Sequence, residues 1–89
     1  MVESNIYEEA VKVFGAKHQH IVAMGEFAEC TAELAKMFIS NREPDEEAII
    51  DELADVQIMM SQMKVIYGDR LTQAIHKKLN KLRGHINAQ

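Results

Sequence analysis

The chain has no tryptophan, one cysteine, one proline and only four glycines. Each scarcity excludes something. With Cys30 alone, no intrachain disulfide can form, which fits a reducing compartment. With so little proline and glycine and no low-complexity run, nothing in the composition suggests disorder. Long apolar runs are missing too: none approaches the ~18 residues of a membrane span, and the N-terminus lacks the basic-then-apolar pattern of a signal peptide. The chain is therefore expected to be soluble and cytoplasmic, with no membrane partner. Positive charge is also in short supply. The net charge is −4 and there is no long basic block. Nucleic-acid binding through phosphate neutralisation is not expected, and a phosphate-bearing small molecule would need a metal or a local basic patch.

What is present is helical throughout. The 89 residues, 47% of them hydrophobic, are expected to form one all-α domain over 1–89. The first helix is expected over about 5–14, with Ser4 as N-cap and Gly15 as its end. The second runs over about 17–40. The third starts near Pro44, places Asp45, Glu46 and Glu47 in a first turn whose dipole favours acids, and ends at Gly68. The fourth starts near Asp69 or Arg70 and runs to about Arg83, or to Ile86 where Gly84 does not stop it. Its apolar stripe is Leu71, Ile75, Leu79, Leu82 and Ile86, with Lys77, Lys78, Lys81 and Arg83 off the stripe's centre. Short connections imply antiparallel neighbours, hence an antiparallel four-helix bundle-like protomer.

The third helix is apolar on nearly all sides. At about 100° per residue, Glu52, Asp55, Met59, Met63 and Ile66 share one sector, while Ile50, Ala54, Ile58 and Val65 lie opposite. A helix apolar all round is buried, and four short helices cannot easily bury it alone. One side is expected inside the protomer and the other in a homo-oligomer.

Two acidic pairs sit on two of these helices: Glu26 and Glu29 in E-F-A-E, Glu52 and Asp55 in E-L-A-D. Residues three apart share a helix face, with Cβ atoms roughly 5–6 Å apart. If the helices face each other, four carboxylates converge. They repel, and each is costly to desolvate without a partner. A hard divalent cation is the simplest partner, and a carboxylate-only set favours Mg²⁺, with Mn²⁺ also possible. Single E-x-x-E pairs are common on solvated helices. Here the pairs border apolar faces, and acids are rarely buried without partners. Glu33 lies in the sector of Glu26 and Glu29, either as a fifth carboxylate or as an ion-pair partner of Lys36. Di-iron bundles use Glu-x-x-His pairs, and no histidine follows a glutamate at that spacing. His18, His20, His76 and His85 read as surface or packing residues, and Cys30 as a small packing residue. With no glycine-rich phosphate loop and no nucleophile motif, metal-activated hydrolysis is the chemistry left.

The order F-G-A-K-H-Q at 14–19, G-E-F-A-E-C-T-A-E-L-A-K at 25–36 and D-E-L-A-D-V-Q-I-M-M-S-Q-M at 51–63 resembles the MazG-like all-α nucleoside triphosphate pyrophosphohydrolases, especially short single-domain forms of phages and mobile elements. The shared pattern is E-x-x-E, a spacer, then E-x-x-D, with 22 residues between Glu29 and Glu52. The resemblance covers roughly 14–83.

That resemblance implies magnesium ligands at Glu26, Glu29, Glu52 and Asp55. It implies hydrolysis of a (deoxy)nucleoside triphosphate to monophosphate and pyrophosphate. One of these carboxylates, or Glu33, would act as general base. Lys36 falls where the family often has a basic residue and could meet phosphate. Gln19 matches a position near the nucleotide. A homodimer or homotetramer is implied. Many relatives carry Glu-Glu where this chain has Gly25-Glu26, which bears on a second metal or the base. A sister activity, phosphoribosyl-ATP pyrophosphohydrolase, ranks lower, because V-Q-I-M-M after Asp55 looks more like the phage-type proteins. Two non-enzymatic readings stay open: a helical module that binds nucleotide or metal, and an oligomer whose acids pair with bases of helix four.

Overall fold

The computed structural model describes residues 2–40, 43 and 45–89. Four α-helices follow one another: α1 (Val2–Phe14), α2 (Ala16–Phe38), α3 (Glu46–Tyr67) and α4 (Asp69–Asn87), with no strand among the described residues. The all-helical expectation holds, and the helix boundaries differ from it in places with local causes.

The first helix begins before Ser4, so Ser4 is inside α1 and does not cap it. The break between α1 and α2 is the single residue Gly15, at φ +89°. A side chain is rarely tolerated there; glycine adopts it freely. The Gly15 N–H donates to the Val11 carbonyl at 2.8 Å and its carbonyl accepts from the Gln19 N–H at 3.1 Å, so one residue closes one helix and opens the next. The second helix stops at Phe38, where the N–H groups of Ile39 and Ser40 both turn back to the Ala35 carbonyl.

Asp45 is not in the first turn of α3. It is the N-cap, its side chain accepting from the Ala48 N–H at 3.1 Å, which satisfies a donor that the helix leaves without an internal partner. Pro44 lies outside the described residues. Gly68, at φ +61°, separates α3 from α4: its N–H donates to the Lys64 carbonyl and its carbonyl accepts from Leu71. Gly84 does not end α4, which continues to Asn87.

Packing is centred on α2 and α3, which run antiparallel with Ala23, Met59 and Met63 buried between them and Val22, Ile66 and Leu71 against that core. The stripe bearing Met59 and Met63 thus faces α2. In the same layer the Gln19 side-chain amide donates to the Gln62 carbonyl oxygen at 2.7 Å, both residues buried. Helix α1 packs on α2 and α3, and α4 packs mainly on α3. On the other side of α3, Ile50, Ile58 and Val65 are exposed. None of the helices is long and apolar enough to cross a membrane among the described residues.

Candidate metal centre

Because α2 and α3 are antiparallel, the acids of one meet the acids of the other one to two turns beyond the Ala23–Met59 layer. Glu26, Glu52 and Asp55 each bring a carboxylate oxygen within 4.8 Å of the other two. Glu26 and Glu52 are half-buried and Asp55 is exposed. One oxygen of Glu26 and one of Glu52, Oε2 in each, is buried without a hydrogen-bond partner among the described residues. A buried carboxylate oxygen with neither donor nor cation is costly, and native proteins leave few such atoms unexplained.

The electrostatics agree with the geometry. Glu26 is held above the ordinary carboxylate pKa, first by burial, then by the charges of Asp55 and Glu29. Glu52 is raised in the same way, by burial first and then by Glu29, Asp55, Glu33 and Asp51. Glu29 is outside the tight triad, yet its charge reaches both residues. Glu33 is half-buried and held by Lys36, Nζ to Oε1 3.1 Å, the one ion pair among the described residues. The pairing of acids with bases of α4 is therefore absent from the described residues, and Lys36 neutralises only the edge of the cluster.

The remaining candidates separate. Gln19 is buried, its amide nitrogen committed to Gln62, so its place is in the inter-helix layer. The histidines stand apart from the triad. His18 lies against Phe14. The Nδ1 of His20 is 2.7 Å from the Ala16 carbonyl, which can only accept, so Nδ1 donates; Nε2 is hydrogen-bonded with the Tyr67 hydroxyl at 2.7 Å. Cys30 is a buried free thiol. Sequence reasoning did not single out Gln62 or Asp51. A glutamine interrupting the Met59–Met63 stripe was the available signal for the first, and adjacency to Glu52 for the second.

The residues present fit a hard divalent cation: three convergent carboxylates, two oxygens without donors, and no soft or imidazole ligand among them. Fold and cluster together define an all-helical protein with an acidic centre between two antiparallel helices. Comparison with protein-family models, curated proteins and solved structures finds no match for this chain.

Proposed function

We propose that this chain is a magnesium-dependent, MazG-like nucleoside triphosphate pyrophosphohydrolase that works as a homo-oligomer. The observation that carries the reading is the pair of buried oxygens on Glu26 and Glu52 that have no partner among the described residues, with Asp55 beside them. The E-x-x-E and E-x-x-D spacings support it, since each puts its two acids on one face of its own helix.

Glu26, Glu52 and Asp55 would hold the ion, with Glu29 adjacent. Bound magnesium would neutralise triphosphate charge and lower the pKa of a coordinated water. The protein's own part is to hold its carboxylates converged, while burial and mutual repulsion oppose their ionisation. One of these carboxylates, or Glu33, which pairs with Lys36 at 3.1 Å, would accept a proton from water. Water adds across the α–β anhydride, that bond breaks, and monophosphate and pyrophosphate leave. Lys36 would reach phosphate by leaving Glu33.

The test is pyrophosphate release from a panel of ribo- and deoxyribonucleoside triphosphates and phosphoribosyl-ATP, with and without magnesium. Metal-dependent release from a triphosphate is expected. Asp55→Asn and Glu52→Ala should each lower it by more than about 100-fold, beyond the effect of disturbing a mere outer partner. Silence across the panel with a magnesium-raised Tm would leave a metal-binding module. Silence with no magnesium effect would make the carboxylates structural.

A further inference from the structure

Helix α4 leaves the body of the molecule. Only its first turn is covered: Leu71 and Thr72 are half-buried, and every residue from Gln73 to Asn87 is exposed. Leu71 and Ile75 line an apolar groove of about 510 Å³ whose other walls include Tyr7 and Glu8 of α1 and Met60 and Val65 of α3. Beyond it the apolar stripe has no cover. Exposure climbs along it, from 44% at Ile75 through 48% at Leu79 and 52% at Leu82 to 63% at Ile86. An isolated helix of this length is marginal in water and is held by covering its apolar face.

The uncovered stripe has the spacing of a coiled-coil seam. Thr72, Ile75, Leu79, Leu82 and Ile86 alternate three and four apart, as the a and d positions of successive heptads do. With Thr72 as a, the e positions are His76 and Arg83, and the g positions after Leu71 are Lys78 and His85. No flank of the seam is acidic. The e and g residues of a coiled coil select its partner, because they meet the partner's flanks across the seam. Lys78 at g and Arg83 at e therefore call for carboxylates, in either strand direction.

The acids of this chain leave that call unanswered. Helix α4 carries five of the ten bases and, of the 14 acids, only Asp69, so it is +4 and the rest of the chain −8. Yet the one ion pair among the described residues joins Lys36 to Glu33, both on α2. A second α4 facing the first would set Lys78 and Arg83 against their own copies. Duplex DNA would neutralise the bases and leave the aliphatic stripe in water. An anionic bilayer would accept the stripe and repel the −8 body held close to it. A helix with an apolar seam and acidic flanks satisfies stripe and charge together, and touches α4 alone.

We infer that α4 is one strand of a two-stranded coiled coil with another protein, whose own strand is an amphipathic helix with Glu or Asp at its e and g positions. The inference stands without the pyrophosphohydrolase reading, since no residue of the acidic centre lies on α4.

The probe is a synthetic peptide of about three heptads with Ile at a, Leu at d and Glu at e and g. The control peptide has Lys at e and g. Isothermal titration of the full chain at low salt should show the acidic peptide binding about tenfold or more tighter than the basic one, with the gap shrinking as salt is added. Lys78→Glu combined with Arg83→Glu should reverse the preference, an exchange that loss of folding cannot produce. Leu82→Glu should abolish binding of the acidic peptide. Equal binding of the two peptides, binding of neither because a second copy already occupies α4, or an unaltered preference in the charge-reversed protein would each overturn the inference. So would capture of the protein by phosphatidylserine vesicles or duplex DNA but not by the acidic peptide.

Discussion

Glu26 and Glu52 are costly residues for a metal-free protein. Their pKa values lie above the ordinary 4.5 because burial and neighbouring acids oppose ionisation. A group raised in the folded state binds more protons folded than unfolded in the window above 4.5, so stability falls as pH rises through it. The metal-free protein should melt at a higher temperature near pH 5 than near pH 7, and magnesium should flatten that slope, because it prefers the ionised, folded cluster. Thermal melts across pH, with and without magnesium, read this directly; a flat metal-free profile would contradict it. Glu52→Gln should raise the metal-free Tm and abolish the magnesium shift together, a combination that a plain ion-pair role does not produce. Two layers away, Gln62→Ala leaves the Gln19 amide buried and unpaired and should cost about 1–3 kcal/mol. Replacing both glutamines with leucine should recover part of that loss in urea unfolding at fixed protein concentration.

At the scale of elements, two glycines divide the chain. Gly68 sits at φ +61°, ψ −138°, a region that other residues enter at a cost of order 1–3 kcal/mol. Gly68→Ala should destabilise by about that much although open space surrounds its Cβ position, because the strain is in the backbone. Gly84 has the same open surroundings inside a regular helix. Gly84→Ala should therefore stabilise by up to about 1 kcal/mol. Opposite signs for one substitution type at two uncrowded positions would separate backbone conformation from packing. Asp45 supplies the remaining punctuation; its side chain on the Ala48 N–H makes the start of α3 a local property of the chain.

For the whole molecule, the relation between a small core and a large apolar surface governs behaviour. Among the described residues only Ala23, Cys30, Met59 and Met63 are buried apolar residues, a modest core for four helices. Val22, Ile66 and Leu71 pack against that core, and many other apolar residues face outward, among them those of α4 and of the far side of α3. If a second copy covers the far side of α3, folding and association are one process, and the unfolding midpoint should fall with dilution. A midpoint independent of concentration across a hundredfold range would mean that the protomer stands alone. The arrangement also leaves the acidic centre on the α2–α3 side and the apolar groove against α1 and α4, so association and metal binding can be perturbed separately.

Periodicity and local chemistry were enough to determine the helices: the apolar stripes of α3 and α4, Gly15 and Gly68 at the breaks, and acids three apart on shared faces are properties of neighbouring residues. Ser4 misled because nothing in the residues before it stops a helix, and Asp45 was placed a residue too deep because a cap and a first-turn acid look alike in sequence. The pairing of α2 with α3, the convergence of Glu26 with Glu52 and Asp55, and the commitment of Gln19 to Gln62 were decided only in the tertiary structure. Each depends on the antiparallel register of two helices, which the buried Ala23, Met59 and Met63 set and which no residue's immediate neighbours encode.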